Sequence, residues 1–487
     1  MKKTIYYILI LGLVTSAGCK KFLNQEPISD IAPESFWKTA DDAKTGVAAI
    51  YDGVQKTLNG NYTDWGDARS DNFTYGGTGE NQINVTLNGL NSLNGAANWN
   101  NLYYTISRAN LAIKYVPDIA LTGSFSEIIR NNYLAQAYGI RAYMYFYAIR
   151  LWGGVPVRLE PYENLNEDPL APRSSADSIL NNIIIPDLVK AYTLSDKANT
   201  TVWELNAGGI LAMLTDAYMW KKDYAKVLET SQNLINLAYK YDVSATNSTD
   251  WKKIFLDPAS TKETIWSLNW SYSQDGGNGI SKIGSGGNTS NYYIDSSVFL
   301  RFESNKNDIR RSVTYDTALA NAATPTRIIQ IGKFYPLNSS NKVVFPINAQ
   351  NEAKLTLYRM ADILLLRAEA LNKTSASKAP VFTIVNRIRT LRQTTPLVAT
   401  DFPTDKDVET AVLNERQLEL FGEGKRWFDL VRTGRVIEIM DPMIRYRQQL
   451  LNISQTGFDD PRKILWPISR EALTRNTLIR QNQPYSE

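Results

Sequence analysis

The chain has 487 residues, a formal net charge of +4, 27 Tyr, 11 Trp, one Cys and no His. Without histidine it has no Ser-His-Asp triad, no Cys-His nucleophile pair and no His-based zinc site. The near-neutral balance gives no general pull toward nucleic acid, and what enzyme chemistry remains needs carboxylates, Lys, Tyr or bound metal; a two-carboxylate glycoside hydrolase needs only Asp and Glu.

Lys2-Lys3, an apolar run from Ile5 to Val14, and Ser16-Ala17-Gly18 before Cys19 form a charged region, a short apolar region and a small-residue cleavage site. The run is shorter than the ~20 residues a spanning helix needs. Residues 1–18 therefore read as a signal peptide. Cys19, the only cysteine, cannot pair within the chain and is placed to carry lipid. Residues 19–38 read as a tether. The chain also exceeds the ~250–300 residues at which one core usually stops growing. An N-terminal region, 39–243, and a C-terminal region, 244–487, are expected.

Thr39 is an N-cap candidate with Asp41 and Asp42 in the first turn. Ala43, Val47, Ile50, Tyr51, Val54 and Leu58 follow at helical spacing, and Gly60 is a stop. Residues 60–98 are rich in Asn, Gly, Asp and Thr and dotted with aromatics; this is too long for a routine connection and reads as a functional loop. A second helix begins at Trp99 and ends at Pro117. A third carries Leu134 to Ala148 and stops at Gly153-Gly154. Helices around 207–218 and 224–238 flank Lys221-Lys222-Asp223, a pair of roughly tetratricopeptide period. Residues 244–350 break the pattern, with a weakly alternating Glu263–Trp270 and a Gly/Ser/Asn-rich stretch closed by Tyr292-Tyr293. Helices resume over 355–440: one through Leu357 to Leu371, a partner through Val385 to Leu391, and a last pair at 408–421 and 427–440. The fold class is mainly α, a TPR-like helix-pair scaffold with long irregular insertions and a few short strands. The two loop-rich segments can meet on it as a single surface.

At this point the chain resembles the SusD/RagB family of nutrient-binding outer-membrane lipoproteins. The pieces run in order over nearly the whole length. They are Cys19-Lys20-Lys21-Phe22-Leu23, Ser35-Phe36-Trp37, Arg69-Ser70-Asp71-Asn72, Arg141-Ala142-Tyr143, Trp152-Gly153-Gly154-Val155-Pro156 and Arg359 to Leu364 with Arg367-Ala368-Glu369-Ala370. Glu415 to Leu430 is the strongest, and Trp466-Pro467-Ile468 closes the chain. One departure is Ser16, where the family's lipobox usually has Leu. The resemblance implies a TPR-like fold and a non-catalytic, lipid-anchored protein on the outer membrane. It also implies a partner, a SusC-like TonB-dependent transporter, to which an oligosaccharide or other nutrient is delivered. No cofactor and no metal is expected.

Sugars present C–H faces, which rings cover, and hydroxyls, which amides and carboxylates bond. The candidate ligand residues in the first segment are Trp65, Asp67, Asn72, Tyr75 and Trp99, with Tyr62 beside them; in the second they are Trp270, Tyr272, Tyr292 and Tyr293. Each ring has an alternative role, packing its loop onto the scaffold, and Trp99 also begins a helical stripe. Arg69 and Asp71 are expected to form an ion pair within the loop. Glu415, Glu419 and Glu423 can form a carboxylate row on one helix face. Like charges repel at that spacing, so the row calls for cations, with Arg416, Arg426, Arg387 and Arg389 as candidates. A buried ion-pair network is favoured there over a metal or catalytic site. The Gly276–Gly287 stretch lacks a following Lys-Ser/Thr and is not a P-loop. The alternatives to a binding protein are a secreted carboxylate glycoside hydrolase and a structural lid active only with its transporter.

Overall fold

Thr39 starts helix α1 (Ala40–Leu58) as its sequence predicts. Its hydroxyl accepts from the Asp42 N–H, and the Asp42 carboxylate accepts from the Thr39 N–H at 2.7 Å, which completes a capping box. The computed structural model of the protein describes residues 36–77, 79–163, 167–286, 290–315, 330–340, 342–347 and 350–486. The signal peptide, Cys19 and all but the end of the tether lie outside these. The apolar stripe of α1 is buried against α2 (Asn100–Tyr115). The chain leaves α1 at Gly60, whose φ of 75° suits a residue without a Cβ.

α3 (Glu127–Trp152) is capped by Ser126 and buries nearly every residue from Leu134 onward. A helix apolar all round belongs at the centre of a domain, and α3 packs between α2 and α4 (Ile185–Leu194). α4 lies between the third predicted helix and the predicted pair at 207–238, where no element is predicted. The pair α5 (Ala207–Lys221) and α6 (Tyr224–Ile235) matches its prediction, with Lys222 at φ 63° in the turn. Neighbour contacts then run α3–α4–α5–α6 and on to α8 (Met360–Thr374), so the helices form one continuous array. α7 (Ser296–Glu303) lies in the second insertion. α9 (Ala379–Leu391) and α10 (Asp405–Glu419) pack on α8. The molecule is mostly helical, as expected.

Two boundaries move. Leu357 lies in a strand rather than opening a helix, and α8 starts only at Met360. The final predicted helix is two, α11 (Arg426–Thr433) and α12 (Val436–Leu450), separated by Gly434 at φ 72°.

The named strands longer than two residues form two antiparallel ladders. β1 (Phe73–Tyr75) pairs β3 (Tyr292–Ile294), and β2 (Thr264–Leu268) pairs β4 (Leu355–Arg359). Every residue of β2 and β4 is buried, which explains why alternation there was weak. Among the described residues, no helix is long and apolar enough to cross a membrane.

Candidate functional site

The two loop-rich segments do meet. β1 and β3 pair in the register Phe73↔Ile294, Thr74↔Tyr293, Tyr75↔Tyr292, and Gly76 N–H donates to Asn291 O at 2.7 Å. Around this ladder Asp64 accepts from the Tyr292 hydroxyl at 2.8 Å and from Lys282 Nζ at 2.5 Å, while Lys282 also donates to Gly60 O. Gly279 packs so closely on Gly60 that a Cβ would sit 2.2 Å from the Gly60 nitrogen.

Most of the predicted ligand residues turn inward. Trp65 is fully buried between Tyr147 and Trp152, and its indole N–H donates to Ala96 O at 2.8 Å. Trp270 is buried and donates to Gly276 O. Tyr292 is buried on Asp64, and Tyr62 is buried against Gly424. Asp67 and Asn72 are buried too. Asp67 accepts from Asn72 Nδ2 at 2.7 Å and from Gly424 N–H at 2.5 Å, and Asn72 Oδ1 accepts from Gln417 Nε2 at 3.0 Å. These side chains have their partners inside the protein, so packing is their role. Burial pushes the Asp67 carboxyl up to about 7 against the pull of those two donors.

Asp67 docks on a turn that explains the strongest sequence motif. In Phe421-Gly422-Glu423-Gly424 both glycines have positive φ, 76° and 69°, where a side chain would be strained. A Cβ on Gly66 would lie 2.2 Å from the Gly424 oxygen. The motif is a socket for the first loop.

Three predicted rings stay accessible. Tyr272 is 42% exposed, and its backbone N–H donates to the Glu352 carboxylate. Tyr75 and Tyr293 are half-buried on opposite faces of the β1–β3 ladder. The Tyr75 phenol is raised by burial and lies within electrostatic reach of Arg447 and Tyr446. The structure therefore does not gather the nine residues into one pocket.

Trp99 behaves differently. It is buried, stacked edge-on against Tyr103 and Trp152, yet it lines an open cleft of about 690 Å³ with Lys56, Asn100, Asn101, Tyr104 and Arg475. Tyr104 is 51% exposed, with the Arg108 guanidinium 4.2 Å from its ring centre and bonded to its hydroxyl. Asn101 Nδ2 donates to Lys56 O, which ties the rim to α1. Tyr104, Asn100 and Asn101 were missed because they sit on the solvent face of α2, where helical periodicity marks polar residues as ordinary. The string Trp99-Asn100-Asn101-Leu102-Tyr103-Tyr104, two amides flanked by three rings, was the available signal.

The carboxylate row is a closed ionic circuit. Glu415 and Glu419 are on α10, whereas Glu423 lies past its end, in the glycine turn. Glu419 meets Arg359 at 2.8 Å, Arg392 at 2.9 Å and Arg310 at 3.0 Å; Glu415 meets Arg310 and Arg389; Glu423 meets Lys333 and Arg359. Glu263, just before β2, completes it through Arg392 at 2.9 Å. Burial opposes ionisation of Glu419, but the three arginines hold its carboxyl well below the usual range. Of the predicted cations only Arg389 takes part. Arg416 pairs with Asp362 and Asp429, Arg426 with Asp71, and Arg387 with Asp242. The expected Arg69–Asp71 pair is also replaced. Asp71 takes Arg426 at 2.8 Å, while Arg69 stacks 3.9 Å over Trp427 and donates to Ile464 O and Lys463 O.

A helix-pair scaffold with its insertions sewn together by short ladders is a recurrent architecture. One family model, described as the SusD family, matches residues 287–485, and another, described as starch-binding associating with outer membrane, matches residues 21–219. The chain belongs to the SusD/RagB family. A SusD-like protein of Formosa agariphila is 29% identical, with 99% of each chain covered; one from Bacteroides ovatus is 25% identical over 55% of this chain and 50% of its own. Among solved structures, a SusD superfamily protein from Bacteroides thetaiotaomicron superposes with a TM-score of 0.71 at 23% identity, covering 92% of this chain and 99% of its own. A SusD-like protein from Bacteroides fragilis reaches 0.74 at 16% identity, covering 95% and 100%.

Proposed function

We propose that this protein is a non-catalytic, surface-exposed lipoprotein of the outer membrane that captures an oligosaccharide and delivers it to a TonB-dependent transporter. Cys19 carries the lipid, and firm anchoring takes more than one acyl chain. The observation that carries the binding role is the open cleft over Trp99. Tyr104 offers a ring face to sugar C–H groups, and Asn100 and Asn101 offer amides to hydroxyls at its rim. Tyr75, Tyr272 and Tyr293 are proposed as further contacts, for longer ligands that reach the joined loops.

A glycoside hydrolase needs two carboxylates facing substrate at a fixed separation. The row best placed by sequence to supply them, Glu415, Glu419 and Glu423, is buried and ion-paired, which favours the binding reading. The test is affinity electrophoresis of the full-length protein through gels carrying a panel of glycans. A Tyr104→Ala/Asn101→Ala variant is expected to lose the retardation that the parent shows. Release of reducing ends from the same panel would instead establish a hydrolase. Copurification of a large β-barrel with the tagged protein checks the transporter partnership.

A further inference from the structure

A second cavity, about 280 Å³, opens between α7, α9 and α10. Its wall is built of donors. Asp308 and Glu415 also line it, but both are already engaged: Asp308 chelates Arg310 at 2.8–3.1 Å, and Glu415 bridges Arg310 and Arg389 at 2.7 and 2.6 Å. Arg310 is likewise saturated by Asp308, Glu415 and Glu419.

Arg301, on α7, has no carboxylate. Its Nη1 donates to Asn414 Oδ1 and Gln417 Oε1, both at 2.6 Å. These two neutral acceptors fix the plane of the guanidinium without neutralising it. Its Nε and Nη2 have no acceptor among the described residues, and neither do Nη2 of Arg389 and Nδ2 of Asn305 and Asn414. The Arg301 guanidinium is pulled down by burial and by the nearby Arg426 and is offset only at a distance by Asp71, whose carboxylate is already paired with Arg426. Leu397 and Phe402 provide an apolar side to the same cavity.

We propose that this cavity is a subsite for an oxyanion borne on a sugar, the carboxylate or sulfate ester of an acidic saccharide, held by Arg301 and Arg389 with Asn305 and Asn414. A planar guanidinium with two adjacent free N–H groups matches two oxygens of such a group. The apolar side takes the C–H face of the ring that carries it. The saccharide part of this assignment rests on the nutrient-capture reading above; the anion part rests on Arg301.

Calorimetric titration of the full-length protein with sodium glucuronate, sodium sulfate and glucose tests it. Glucuronate binding without matching glucose binding is expected. Arg301→Gln is expected to weaken glucuronate by about tenfold or more, the loss of a charged hydrogen-bonded contact. Should Arg301→Gln fail to fold, Asn414→Asp supplies an independent arm. It places a carboxylate beside Arg301, keeps the fold by adding an ion pair, and is expected to compete the ligand out. Equal affinity for glucose and glucuronate, or unchanged glucuronate affinity in Asn414→Asp, overturns the subsite. Sulfate binding with no glucuronate binding overturns the saccharide assignment in favour of a free inorganic anion. Loss of glucuronate in Asn414→Asp while its gel retardation by neutral glycans persists supports a subsite separate from the Trp99 cleft.

Discussion

The ionic circuit around Glu419 and the cleft over Trp99 are both polar and both aromatic-lined, yet they differ in what their polar groups lack. In the circuit each carboxylate already has two or more cations, and Trp251 lies within 4.6 Å of Arg392 and 5.0 Å of Arg359. In the cleft the Asn100 side chain and the ring of Tyr104 are exposed beside a large open volume, and the Asn101 amide spends one donor on Lys56 O. Charge density by itself therefore marks the assembled core of this protein, and the proposed ligand surface is marked instead by amide oxygens and rings left open to solvent.

The sharpest way to break the comparison is to remove the centre of the circuit. Glu419→Ala leaves Arg310, Arg359 and Arg392 crowded together without the carboxylate all three share. Breaking a buried pair in this way costs about 3–5 kcal/mol, read by chemical denaturation at neutral pH. The pH sign follows from the lowered carboxyl. Glu419 contributes stability above its unfolded pKa and loses it as pH falls below about 4 toward the folded value. The variant should accordingly be less acid-sensitive than the parent across that window.

Asp67 has the opposite sign. Its carboxyl is raised to about 7 in the fold, so the native state holds a proton that the unfolded chain releases near pH 4. Stability contributed by the neutral form is full below that value and falls as pH rises through about 7. Asp67→Asn keeps one oxygen for the Gly424 N–H and cannot ionise. It should remove the parent's decline of about 4 kcal/mol between pH 4 and 8, measured as denaturation midpoints across that range.

Gly66→Ala tests the socket. The added methyl meets the Gly424 backbone, which cannot swing aside as a side chain would. Overpacking of this kind costs about 1–3 kcal/mol. Protease should then cut first within 60–98, the loop released from its socket; first cutting elsewhere would show that the socket does not hold that segment.

These elements also show where sequence reading succeeds and stops. The capping box at Thr39 and the pair α5–α6 were legible because local chemistry and periodicity decide them. The meeting of the two loop segments was legible as a possibility, since both were long, polar and ring-bearing. The inward turn of Trp65 and Trp270 was not, because a ring in a polar loop serves packing or binding equally well until its neighbour is known. Asp71 was paired with the wrong arginine for the same reason: Arg426 is 355 positions away, and only the fold brings it near. Leu357 was read as helical because β4 is buried on both sides and carries no alternation.

Tyr104 and Tyr272 give the finest test of which exposed ring matters. Both are about half exposed, so replacing either by Ala should change stability by no more than about 0.5 kcal/mol. They differ in surroundings. Tyr104 stands over an open cleft with amides and a guanidinium beside it, whereas the Tyr272 backbone is held by Glu352 and by Gly276 N–H. Taken at the size of an aromatic pair, about 0.5–1.5 kcal/mol, a ring–sugar contact is about two- to tenfold in affinity. Tyr104→Ala should weaken a short oligosaccharide by that factor, and Tyr272→Ala should leave it unchanged. The two variants should converge as the ligand lengthens, because only a longer chain reaches from the cleft to the joined loops. If Tyr272→Ala weakens the short ligand and Tyr104→Ala does not, the recognition surface is the loop junction, and the cleft over Trp99 is structural.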